Sequence, residues 1–269
     1  MDFVATDPTP LAVVREPAAA GSFYPADAGA LATNVAELLN DAPHQESPAP
    51  KALIVPHAGY MYSGQVAAAG YAMLDAHRQR YERVILLGPA HRAWFKGLAV
   101  SSADAFRTPL GDVPVDRAGL RPLGVDVMDT PHVREHSIEV HLPFLQSVLG
   151  DFMLVPIVVG DATPEQVSAV LRALWGGPET LIVVSSDLSH YLPYEKASVI
   201  DARTCRAIED LDGRRINHSM ACGATPVAGL LMTAREKGLE AKTLDLRNSG
   251  DVAAGERGSV VGYGAWMLA

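Results

Sequence analysis

Nine histidines and two cysteines in 269 residues are the side chains best suited to hold a metal or move a proton, and their placement is uneven. His57, His91 and the pair Asp187 and His190 each stand just after a short apolar, β-rich run, at residues 52–55, 84–87 and 181–184. Imidazoles and a carboxylate delivered from three strand ends to one rim could share a metal or work as acid and base. Taken singly, any of these histidines reads as a loop residue bonded to a backbone carbonyl. Cys222 is a fourth candidate, because it lies before Gly223 and the Thr225-Pro226 pair, where a helix N-terminus would favour its thiolate. Cys205 falls inside a helical run and reads as a small core residue.

The stretch His132-Val133-Arg134-Glu135-His136-Ser137-Ile138-Glu139-Val140-His141 holds three His and two Glu in ten residues. His132-x-x-Glu135-His136 matches the inverted zinc-protease pattern, with two His one turn apart and Glu activating water. Pro131 and Pro143 leave little room for the long helix that pattern needs. The other reading makes His136, Glu139 and His141 substrate-side groups, or supports around the site. His44, His77 and His218 have no such company and read as surface residues. No Gly-x-Ser-x-Gly elbow occurs, and Ser185-Ser186-Asp187 with His190 is too local for a triad. Phosphate-cradling glycine motifs are also missing, so nucleotide cofactors have no support.

These residues need a scaffold of alternating elements. Strand-like runs lie at 52–55, 84–87, 98–100, 152–159, 181–184 and 260–268, and helical spacing at 31–39, 65–74, 138–149, 164–175, 194–211 and 226–237. The alternation predicts an α/β fold, one layered domain with a central mostly parallel or mixed sheet flanked by helices. Ligands in such sheets bind beyond the strand C-termini, where the polar residues above fall. Gly59, Gly64 and Gly88 flank two of these turns and let backbone crowd the site. Thr163-Pro164-Glu165-Gln166 marks a helix start, Thr225-Pro226 repeats its first two elements, and Gly238 marks a stop. Residues 1–14 read as an N-terminal arm and 15–269 as the domain. The Pro-rich stretch 41–50 lies too near the N-terminus to divide two domains.

Composition narrows the function classes. Lys plus Arg number 22 against 31 Asp plus Glu, a net charge of −9, which argues against nucleic-acid or anionic-membrane partners. No apolar run approaches the roughly 18–20 residues of a membrane span. The N-terminus lacks the features of a signal peptide, and two cysteines make no disulfide framework, so a cytoplasmic, reducing setting is expected. The exposed-looking Trp94-Phe95 pair could face a subunit or cover the pocket.

Seven motifs in unbroken order, from about Arg15 to the C-terminus, resemble the Memo family, including its AmmeMemoRadiSam system protein B members. They are Ala19-Ala20-Gly21-Ser22-Phe23-Tyr24-Pro25, Pro56-His57-Ala58-Gly59-Tyr60-Met61-Tyr62-Ser63-Gly64, Gly88-Pro89-Ala90-His91, Phe106-Arg107-Thr108-Pro109-Leu110-Gly111, Glu135-His136-Ser137-Ile138-Glu139-Val140-His141-Leu142-Pro143, Ser185-Ser186-Asp187-Leu188-Ser189-His190-Tyr191 and Ala221-Cys222-Gly223. That family is similar in fold to the class III extradiol dioxygenases, whose non-haem Fe(II) is held by two His and a Glu. By resemblance, the metal ligands here would be His57, His91 and Cys222, with Asp187 and His190 lining the pocket. A thiolate in place of the carboxylate softens the site, admitting Cu or Zn beside Fe(II). The resemblance implies a metal-dependent oxidoreductase in which His190 or His136 acts as acid/base and Asp187 orients a partner. The alternatives are an iron- or copper-binding redox-regulatory protein without turnover, or a zinc metallohydrolase. The substrate or protein partner is left open.

Overall fold

The computed structural model describes residues 13–43, 46–120, 124–252 and 256–269. His44 and most of the 1–14 arm lie outside them, as do two residues of the 41–50 stretch. The chain begins with β1 (Val14–Arg15), α1 (Ala28–Asn40), β2 (Ala52–Val55), α2 (Tyr60–Tyr71), β3 (Arg83–Pro89) and β4 (Leu98–Val100). It continues with β5 (Ala105–Thr108), β6 (Gly111–Pro114), α3 (Arg117–Leu120), β7 (Asp126–Val127), α4 (Thr130–Val133), α5 (Leu142–Leu149), β8 (Met153–Val159) and α6 (Pro164–Leu174). Then come β9 (Thr180–Ser185), β10 (His190–Leu192), α7 (Tyr194–Glu209), α8 (Ala224–Lys237), β11 (Ala241–Asn248) and β12 (Val260–Leu268).

Among the described residues the main sheet runs β10-β12-β2-β9-β3-β8-β4-β7, with β11 also paired to β12. Its centre, β2-β9-β3-β8, is parallel, and β12 and β4 join it antiparallel. The fold is therefore the mixed α/β layer that the alternation of elements predicted. Strands in the parallel centre are covered on both faces, so they carry unbroken apolar runs: Leu53, Ile54, Ile85, Leu86, Val183 and Val184 are all buried. A three-stranded sheet β1-β5-β6 stands apart. It is built from short, partly polar strands that apolar runs alone do not reveal.

Local signals explain where the helices begin and end. Thr163 and Gln166 form a reciprocal capping box at α6. Gly238 closes α8 in the left-handed conformation, φ 72°. Thr225 is not a cap, because α8 begins one residue before it, at Ala224, with Gly223 as its N-cap. The helix expected at 65–74 starts at Tyr60 and tightens into a 3-10 stretch over Ala72–Arg80. Small residues let it lie close to the sheet: a Cβ at Gly70 would stand 2.6 Å from Val55 Cγ1. The helix expected at 138–149 is a 3-10 turn, Glu139–His141, followed by α5, whose first turn holds Pro143.

Candidate metal centre

The parallel centre of the sheet sets the geometry. His57 follows the C-terminus of β2, His91 that of β3, and Asp187 with His190 that of β9, so all emerge on one rim. His136 arrives from the loop between α4 and the 3-10 turn. That loop docks on the end of β3, where Ser137 Oγ donates to Pro89 O at 2.9 Å. Gly88 permits the approach, since a Cβ there would meet Ser137 Oγ at 2.4 Å.

His57, His91 and His136 each offer a ligand atom, and these atoms all lie within 4.8 Å of one another. Ring centroids are 5.0 Å apart for His57 and His91, 4.8 Å for His91 and His136, and 5.5 Å for His57 and His136. Phe23 covers His136 at 4.4 Å between centroids. Cys222 is outside this trio but touches it, with Sγ 3.4 Å from His57 Nε2. Gly223 brings it there, because a Cβ at that position would meet Ser185 O at 2.6 Å.

Sequence patterns assign Glu135 only to water activation in a protease, and the structure gives it a different task. Its carboxylate accepts from His91 N at 2.6 Å, and from His136 N and Ser137 N at 3.0 Å each. It also meets His91 Nδ1 at 3.0 Å. Burial opposes its charge, but the hydrogen bonds and charge of His91 win and hold the carboxyl down at about 2. One carboxylate thus orients His91 and anchors the backbone that carries His136. His136 Nδ1 lies 3.3 Å from Glu135 Oε1 without hydrogen-bond alignment and has no partner.

The other expected residues divide by location. Asp187 Oδ1 accepts from His57 N at 2.8 Å, and Oδ2 stands 4.0 Å from His57 Nε2. Burial raises its pKa. His190 opens β10, just past the end of β9. His141 is buried and reaches Ser185 Oγ with Nε2 at 2.8 Å, and the same hydroxyl meets His57 Nδ1 at 2.6 Å. Glu139, expected as a support around the site, binds the N-terminal segment that carries Phe23. It accepts from Ala18 N at 2.7 Å, Ala19 N at 2.8 Å, the Tyr24 hydroxyl and the Arg15 guanidinium.

One expectation of local chemistry is reversed, and the zinc-protease pattern, for which Pro131 and Pro143 leave little room, stays unassembled. The Cys222 thiol is not activated by its helix: burial, reinforced by the Asp187 charge, pushes it up to about 12. A bound cation would be needed to make it a thiolate. His132 and His136 do not share a helix, since α4 ends at Val133. His132 Nε2 donates to Ala99 O at 3.1 Å, away from the trio, so the inverted protease pattern is not assembled. His77 bonds Ser47 O and His218 meets Thr225 Oγ1. Trp94 is exposed, whereas Phe95 is buried against Gly160.

Comparison with known proteins extends the picture. Residues 15–267 match the family described as Memo-like protein. A MEMO1 family protein of Aeropyrum pernix is 38% identical, covering 94% of this chain and 98% of its own length. One from Methanococcoides burtonii is 36% identical over 95% of this chain and 100% of its own. A third, from Aquifex aeolicus, is 36% identical over 93% and 97%.

Proposed function

The chain belongs to the Memo family, and from that premise we propose that it is a metal-binding protein working as a metal-dependent oxidoreductase on an unidentified small molecule. The observation that carries this reading is the trio His57, His91 and His136, with ligand atoms within 4.8 Å of one another at the rim of a parallel sheet. The donor chemistry fits a metal. Burial, together with the neighbouring imidazoles, keeps His57 well below its ordinary pKa, and burial also lowers His136, so both rings are neutral ligands at pH 7. Cys222 Sγ, 3.4 Å from His57 Nε2, stands at about the 3.5 Å separation of a thiolate and an imidazole on one tetrahedral ion.

His57, His91 and His136 would hold the metal, with Cys222 as a further donor. Imidazoles with a thiolate suit Fe(II), Cu or Zn, and the family's likeness to extradiol dioxygenases favours Fe(II). Bound there, the metal supplies Lewis acidity and, as iron or copper, one-electron redox chemistry. Glu135 fixes the orientation of His91. Asp187 accepts from His57 N and stands beside that imidazole, where it can orient the ring. His190, half-buried on the same rim, is the candidate acid or base. Phe23 covers one face of His136 and limits water there.

The nearness of Cys222 also favours a second reading. If three imidazoles and the thiolate all bind, the ion is closed by protein donors, as in sites that do not turn over. The protein would then be a redox-regulatory metal carrier acting through a partner. Oxygen uptake after anaerobic Fe(II) loading, measured with a catechol panel, separates the two. Uptake that is lost in His57→Ala supports the oxidoreductase. A loaded protein that consumes no oxygen with any of the panel contradicts ring cleavage and supports the carrier.

A further inference from the structure

Side chains of consecutive residues on a regular strand point to opposite faces, so the rings of neighbours do not meet. His190 and Tyr191 on β10 break that rule, because their rings touch edge to face with centroids 5.7 Å apart. The register gives the reason. His190 lies opposite Val261 of β12 and Leu192 opposite Val260, so two steps along β10 are matched by one along β12. Tyr191 is the extra residue of a β-bulge, which carries its side chain round to that of His190.

The backbone of Tyr191 is strained. Its φ of 56° lies in the left-handed region, which is unfavourable for an aromatic residue and which glycine or asparagine adopts far more readily. Burial of the side chain does not offset the strain, since Tyr191 is 76% exposed. The neighbouring elements impose the conformation instead. Gly262 of β12 donates from N to Ser189 O at 2.8 Å and accepts from Leu188 N at 2.8 Å. Ser189 N donates to the buried Asp201 carboxyl group of α7 at 3.0 Å, and a Cβ at Gly262 would collide with that group. β12 and α7 thus grip the turn before the bulge together. The turn leads from the end of β9 into β10, so the strained ring stands beside the half-buried His190 on the rim of the metal centre. Strain held at a site rim without a packing gain is the mark of a residue kept for a ligand.

We propose that Tyr191 is a specificity-determining residue whose ring, set beside His190 by the bulge, packs against a planar ring of the small molecule that the centre takes. The inference deepens the proposed function and rests on it for the identity of the site. The bulge, the strain and the exposed ring are properties of the protein without metal. A flat ring on the ligand meets Tyr191 by offset stacking or edge contact, which contributes about 3–10-fold in affinity. An acyclic ligand gains nothing from it.

Two pairs of probes test this. Benzohydroxamate and acetohydroxamate share one metal-chelating head and differ by the ring; benzoate and acetate differ in the same way and need no metal. The first pair is titrated into Zn(II)-loaded protein. The second is titrated into metal-free protein while NMR follows the 13C-labelled tyrosine rings, with the Tyr191 signal assigned by its loss in Tyr191→Asn. The ringed member of each pair should bind about 3–10-fold more tightly and shift the Tyr191 signal. Tyr191→Phe keeps the ring and should keep the preference, whereas Tyr191→Asn should lose it with the acyclic affinities unchanged. Asparagine suits the left-handed backbone, so Tyr191→Asn should also raise Tm by about 2–4 °C. Absence of a ring preference in the wild type, an undiminished preference in Tyr191→Asn, or a Tyr191→Asn protein that melts below the wild type overturns the proposal. A wild-type protein that takes up no Zn(II), yet prefers benzoate only while Tyr191 is present, would instead refute the metal-centre reading and leave the role of Tyr191 standing.

Discussion

Glu135 orients the His91 imidazole and anchors the backbone that carries His136, and its position between His132 and His136 hid this role in the sequence. A pattern two His wide suggests that both are ligands and the Glu a base. In the folded chain, His132 donates to a strand carbonyl while Glu135 serves His91, forty-four residues earlier. Long-range pairing of this kind leaves no local spacing to read. Glu135→Gln keeps the shape but removes the charge that holds His91, so metal affinity should drop about 10–100-fold in a titration of the metal-free protein. His132 makes a separate prediction for pH. Burial lowers it from 6.5 to about 4, so between those values the unfolded chain binds the extra proton and the native state does not. Stability from this residue is present above about pH 6.5 and is lost as pH falls toward 4, by on the order of 3 kcal/mol. Urea denaturation should show the wild type weakening from pH 7 to pH 4.5 by more than His132→Gln does.

At the scale of elements, the strands bearing the site were legible and their supports were not. The runs at 52–55, 98–100 and 260–268 coincide with β2, β4 and β12, because strands covered on both faces must be continuously apolar. The loop carrying His136 had no such signature. It is held by a buried network reaching from the N-terminal segment: Arg15 Nε donates to His132 O at 3.0 Å, another guanidinium nitrogen donates to Glu135 O at 2.6 Å, and a third pairs with Glu139. Glu139 in turn gathers Ala18, Ala19 and Tyr24, and so fixes Phe23 over His136. Arg15→Met would leave the Glu139 carboxylate buried without its cation. The expected loss is about 3–5 kcal/mol of unfolding free energy by chemical denaturation. A change below 1 kcal/mol would show that the remaining hydrogen bonds to Glu139 suffice.

Across the whole molecule, the chain places chemistry where a parallel sheet makes room for it. β2, β3 and β9 are neighbours in space though separated in sequence, and their C-terminal ends converge on one rim. The alternation of strands and helices foretold that rim, and with it His57, His91, Asp187 and His190. The packing of the His136 loop on the end of β3 and of Gly223 on the end of β9 was not foretold, since each depends on two close approaches made by distant segments. Among the described residues no helix is long and apolar enough to cross a membrane. The central claim is that one metal ion sits among His57, His91 and His136. Anomalous diffraction from crystals loaded anaerobically with one equivalent of Fe(II) tests it most directly. A single strong peak within bonding distance of all three rings is the expected result, whereas a protein that takes up no stoichiometric metal, or one whose peak lies away from these histidines, would contradict it.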